Sequence, residues 1–175
     1  FFHDRAYTRE FLDNKIHAQK DRIHPLDIKS WYLLGRFYKE WARGDFRLFN
    51  KSEYFLLKGF LVNEKRQIFL YALSGLQSIK KDPQAQKNAI AYLEKAIEAN
   101  PDAPYSYWIL GNTLLRQGFL DPAVQALEQA LSKGYKINSP RELLEVVPLL
   151  KEKKRFDILQ ILSEQAKKFD RILLK

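Results

Sequence analysis

Ala89 and Ala123, Leu93 and Leu127, and Ala96 and Ala130 are each separated by 34 residues. A fixed interval of that length means the chain builds one unit more than once, which constrains its fold more than any single motif can. Within each copy the positions step by four and by three, so they share one face of a helix. Asn100-Pro101 ends the first of these helices, and a new helix opens near Pro104 with Tyr107, Leu110, Gly111 and Leu114 in phase. Gly118 turns the chain, and Pro122 suits the first turn of the helix that follows.

Segment 104–135 resembles the tetratricopeptide repeat, position by position. Tyr107 stands at the large aromatic position, Leu110-Gly111 at the Leu-Gly pair, and Ala123, Leu127 and Ala130 at the core positions of the second helix. Leu114 replaces the usual tyrosine. At the exit, Gly134-Tyr135 replaces the usual proline, so a different exit turn is expected. The stretch "SWYLLGRFYKEW" (30–41) fits the first-helix signature more closely still, through Trp31, Leu34, Gly35 and Tyr38. Its second helix is expected over 52–61, with Leu56 large and Gly59 small.

Gly35 and Gly59 lie 24 residues apart, against about 19 in the family. The turn over 41–51 is therefore expected to be longer by the difference. A second unit has its first helix over 66–79, with Leu70, Leu73 and Ser74 at signature positions and about three extra residues in 80–88.

The resemblance implies an all-α fold: a right-handed α-solenoid of stacked helix-turn-helix repeats, about four hairpins plus an N-terminal capping helix. The expected boundaries are 4–24 for the capping helix, then 28–64, 66–101, 104–135 and a divergent terminal repeat over 139–170. In that last unit Ser139 reads as an N-cap, Pro140 as the first helical position and Glu142 as its capping-box partner. Segment 132–140 reads as turn-rich loop, and no segment reads as a strand.

Composition excludes several chemistries. The chain has no cysteine, which removes disulfides, thiolate metal sites and a cysteine nucleophile. Its three histidines, His3, His17 and His24, crowd into the first 24 residues with no partner for a metal or a catalytic triad. No Gly-rich phosphate loop, nucleophile elbow or paired-carboxylate motif is present. The reading is a non-enzyme without cofactor or metal.

The net charge of +9 gathers at the ends, +5 over 1–66 and +4 over 136–175, with none over 67–135. Nucleic-acid binding needs a continuous basic track, so it is disfavoured. No apolar run approaches the length of a membrane span. The chain opens Phe-Phe-His and contains no methionine, which reads as a fragment of a longer protein or a processed form.

In the family a protein or peptide partner lies along the first helices. Carried onto this sequence, the contact positions are Tyr32, Arg36 and Lys39, then Ile68 and Tyr71, then Tyr105, Trp108, Asn112 and Arg116. The Lys-and-Asn clamp for acidic C-terminal peptides is missing, because Tyr32 and Arg36 occupy its first-repeat positions and Tyr105 and Ile109 its third-repeat ones. Over 54–170 the order of segments also resembles the repeat tail of bacterial O-antigen polymerase or ligase-like membrane proteins. That likeness implies membrane machinery or an anionic surface as a partner, self-association by repeat stacking, and a cytoplasmic or cytoplasmic-side membrane location.

Overall fold

The computed structural model of the chain describes residues 27–42, 45–80 and 82–173. Eight α-helices lie among the described residues: α1 (Ile28–Trp41), α2 (Phe46–Val62), α3 (Gln67–Gln77), α4 (Pro83–Ala99), α5 (Pro104–Arg116), α6 (Leu120–Ser132), α7 (Leu143–Glu152) and α8 (Phe156–Leu173). A single 3-10 turn, Pro140–Glu142, precedes α7. The described residues contain no strand, so the chain is an all-α helical-repeat protein. The expected capping helix over 4–24 and the three histidines fall outside the described residues.

Aspartates start three of the helices. The Asp27 carboxylate accepts from the Ser30 N–H at 3.1 Å, Asp45 from those of Arg47 and Leu48, and Asp82 from that of Ala85 at 2.8 Å. Each satisfies donors the helix cannot use itself, stabilising by about 1 kcal/mol. Three helices end alike, with a left-handed residue and two reverse hydrogen bonds. After α6, Gly134 sits at φ +87°, its N–H reaches Leu131 O at 2.9 Å, and that of Tyr135 reaches Ala130 O at 2.9 Å. Gly118-Phe119 repeats this after α5, and Lys154-Arg155 after α7. Lys154 is the one non-glycine in the set, at φ +53°.

The chain divides into two compact units, 1–69 and 70–175. In the first, α1 and α2 form a hairpin with an aromatic core. Phe55 stacks between Trp31 at 5.9 Å and Tyr38 at 5.5 Å, and Leu48, Phe49 and Leu56 are buried with them. Glycine is required at the closest approach. A Cβ on Gly35 would lie 2.5 Å from Leu56 Cγ and 3.2 Å from the Leu56 backbone nitrogen. One on Gly59 would collide with the Phe69 ring. The Ser52 hydroxyl donates to Gly35 O at 2.8 Å and ties the helices at the same level.

In the second unit α5 and α6 pair in the same way, with an aliphatic filling. Ala123, Leu127 and Ala130 are fully buried, as are Ile137, Val146 and Leu150 beyond them. A Cβ on Gly111 would meet Leu127 Cγ at 2.8 Å and Ala123 O at 3.1 Å. The Gly–Leu contact of the first hairpin thus recurs in the second, as the 34-residue pattern requires.

The expected long turn over 41–51 is corrected. The Gly–Leu interval is 21 residues in the first hairpin and 16 in the second, so the first does carry five extra. However, α1 already ends at Trp41 and α2 begins at Phe46, so most of that extra length is helix. The Asp45 cap starts α2 early, and Leu48 and Phe49 give the added turn an apolar face to bury. Likewise α4 begins at Pro83, which makes most of the expected insertion over 80–88 helical. Ser139 caps with no side-chain hydrogen bond. Glu142 instead turns to the Tyr135 hydroxyl at 2.7 Å and the Asn138 N–H at 3.2 Å.

Candidate functional site

The second unit holds a groove of about 710 Å³ along α5. One wall is α5 itself, through Tyr105, Trp108, Ile109, Asn112, Thr113 and Arg116. These positions step by three and four, so the helix presents one face to the groove. The other wall is the connection from α6 to α7, through Tyr135, Asn138, Ser139, Arg141, Glu142 and Leu144.

Aromatic rings form the floor. Trp108 is 4% exposed and stacks on Tyr135, itself 5% exposed, with centroids 4.4 Å apart. Tyr105 is 46% exposed, 6.3 Å from Tyr135 and edge-on to Tyr71 at 5.1 Å. Tyr71 is anchored by a 2.7 Å hydrogen bond between its hydroxyl and that of Ser106. Burial raises the pKa of Tyr71, and it raises that of Tyr135 much further, helped by the Glu142 carboxylate that its hydroxyl faces. Both phenols therefore stay protonated in the fold. A Gln165 clamp holds the connection in place: its carbonyl accepts from the Ile137 N–H at 2.8 Å and its amide donates to Tyr135 O at 3.1 Å.

The structure brings four of the sequence-predicted residues, Tyr105, Trp108, Asn112 and Arg116, to this groove. Trp108 serves it as buried floor, and Asn112 spends its amide donor on Trp108 O at 2.8 Å. Tyr71 supports Tyr105 from behind and does not line the groove. In the first unit, Tyr32, Arg36 and Lys39 share one face of α1. The Arg36 guanidinium lies 5.8 Å from the Tyr32 ring centroid, and Tyr32 sits edge-on to Phe69 at 5.7 Å. Burial lowers the Lys39 ammonium pKa, partly opposed by Glu40 and reinforced by Arg36. Ile68 is 41% exposed at the start of α3.

Sequence reasoning missed the second wall, because 132–140 was expected only as loop. A usable signal was there. Glycine just past a helix followed by a large apolar residue marks a reverse turn that folds the apolar side chain back onto the helix it follows. Gly134-Tyr135 is that pair.

Residues 84–103, from the first turn of α4 to the start of α5, match the tetratricopeptide repeat family. The Gly–Leu contact found in both hairpins accords with that likeness. No curated protein matches it. Tetratricopeptide-repeat domains in general are scaffolds that bind protein or peptide partners and carry no catalysis of their own. Among the described residues no group of His, Asp and Glu side chains could hold a metal ion, and no helix is long and apolar enough to cross a membrane.

Proposed function

We propose that this chain is a non-enzymatic scaffold of tetratricopeptide-repeat type, whose second-unit groove takes an extended peptide from a partner protein. The observation that carries this reading is the groove itself: a half-exposed tyrosine and two arginines above a rigid aromatic floor. Aromatic and arginine side chains around a preformed cleft are the composition of peptide and protein hot spots. The repeats are taken as 28–64, 66–101, 104–135 and 139–170. Tyr32, Arg36 and Lys39 offer a separate patch on the first unit, with Ile68 beside the start of α3.

The test is an unbiased selection from a displayed peptide library. Recovered peptides should lose binding when Tyr105→Ala or Arg116→Ala is introduced, while Lys95→Ala on the exposed side of α4 should have no effect. A library that yields no binder sensitive to the groove variants would sink the proposal. The likeness to O-antigen polymerase tails rests on segment order and basic ends, and spanning helices encoded upstream of Phe1 would support it.

A further inference from the structure

The first hairpin buries one side of α2 and leaves a mixed face on the other. Leu48, Phe49, Ser52, Phe55, Leu56 and Gly59 are the buried residues of the helix. Opposite them, Arg47, Lys51, Tyr54, Lys58 and Leu61 follow at intervals of four, three, four and three, so they share one face. Leu61 is 67% exposed and Tyr54 51%, and Phe46 at the start of the helix is 67% exposed. Among the described residues α2 carries more exposed large apolar side chains than any other helix. Charge is interleaved with them: the Lys58 ammonium lies 5.6 Å from the Tyr54 ring centroid. Arg47 reaches the N-cap carboxylate of Asp45 at 3.7 Å while its side chain stays 91% exposed. Glu53, the one acid within α2, is half-buried on the flank of this face.

We infer that the outer face of α2 docks on an anionic membrane surface, with Phe46, Tyr54 and Leu61 entering the headgroup layer and Arg47, Lys51 and Lys58 meeting acidic lipid headgroups. This surface is separate from the α5 groove and does not rest on the peptide reading. A helix with cations beside leucine and aromatic side chains lies along a bilayer interface, where the apolar groups leave water while the ammonium heads remain in it. The helix runs 17 residues, about 25 Å, and is not apolar enough to cross, so it can lie along the surface without spanning it. Attraction to acidic lipid adds to that burial for each cation on the face. A nucleic acid would meet the same cations, but its phosphate backbone gives Phe46 and Leu61 nothing apolar to bury against. An acidic soluble protein segment satisfies the cations and likewise leaves those two side chains in water.

The experiment measures co-sedimentation of the full chain with phosphatidylcholine vesicles, with and without phosphatidylglycerol. Oligothymidine and polyglutamate are run beside them as soluble polyanions. Vesicles containing phosphatidylglycerol should bind about a hundredfold more tightly than neutral ones, about fivefold for each of the three cations. Lys58→Gln should weaken that binding about fivefold. Leu61→Ser should weaken it by a similar factor, about fivefold, and Leu61→Phe should bind as the parent does. Both positions are exposed, so neither change disturbs the hairpin core. Lys95→Gln, an equal change of charge on α4, should leave vesicle binding unaltered. No preference for the anionic vesicles, or a Leu61→Ser variant that binds like the parent, overturns the inference. So does an equal loss in Lys95→Gln and Lys58→Gln, which would make the attraction one of overall charge. Oligothymidine or polyglutamate binding more tightly than the anionic vesicles overturns it in favour of nucleic acid or an acidic protein.

Discussion

The α1/α2 and α5/α6 hairpins solve one packing problem with different side chains. Each sets a glycine of its first helix against a leucine of its second, Gly35 against Leu56 and Gly111 against Leu127. Around that contact the first hairpin stacks Trp31, Phe55 and Tyr38, while the second nests Ala123, Ala126 and Ala130. Gly59 stands where the second hairpin has Ala130, because the Phe69 ring occupies the space a methyl would take. Large rings leave gaps that only the smallest neighbours fit, whereas alanines let whole helices approach. The repeat therefore conserves a contact geometry between its copies and leaves the filling free.

The largest test of this equivalence is at the glycines. Gly35→Ala should cost about 2 kcal/mol by overpacking against Leu56 and its backbone, after the helix-propensity gain of alanine. Gly111→Ala should cost less, about 1 kcal/mol, since its nearest clashes are looser. Leu56→Ala alone should cost about 3 kcal/mol as a buried cavity. In the double variant the Gly35→Ala penalty should largely vanish, because the space it needs has been emptied. Urea denaturation of the four-member cycle gives the coupling, and strict additivity would break the comparison.

A second difference lies at the hairpin exits. The second hairpin leaves through Gly134 into the buried Tyr135, whose hydroxyl meets the Glu142 carboxylate. Tyr135→Phe should cost about 1.5 kcal/mol near neutral pH, as expected for a hydrogen bond to a charged acceptor. The folded-state pKa of Tyr135 is raised, so its contribution is fully present below the unfolded value of about 10 and is lost as pH rises above it. The stability gap between the parent and Tyr135→Phe should therefore narrow above pH 10. Denaturation midpoints at mildly and strongly alkaline pH check the sign.

Two buried serines sharpen the contrast between the first helical pairs. Ser52 donates to Gly35 O, whereas the Ser74 hydroxyl is buried with no hydrogen-bond partner. Ser52→Ala should lose about 1 kcal/mol, and Ser74→Ala should be neutral or slightly stabilising. Equal losses at both sites would show that the Ser52 bond adds nothing. Another small effect is expected at the end of α7. Lys154→Gly relieves a side chain held at φ +53° and should raise stability by about 0.5 kcal/mol, readable as a modest rise in thermal midpoint.

Legibility followed the range of the physics involved. Gly35, Gly111 and the alanine ladder could be read directly, because their spacing is a consequence of helix geometry. The start of α2 was misplaced. Asp45 is an ordinary N-cap, but "WARGDFRLFNK" offers several turn residues, and only the burial of Leu48 and Phe49 decides that helix begins there. Four of the groove residues were legible as neighbours of the signature on α5. Arg141 and Leu144 were not, because they reach the groove through a reversal at Gly134 and a clamp from Gln165, 28 residues away from Ile137.

What the sequence determined by itself is the repeated unit, since a 3.6-residue period and a 34-residue interval are local regularities that no tertiary arrangement is needed to reveal. What only the tertiary structure decided is where the extra residues of the first hairpin go and which side chains close the groove. Both depend on contacts between residues far apart in the chain, and their energies come from burial and packing that a local pattern does not encode.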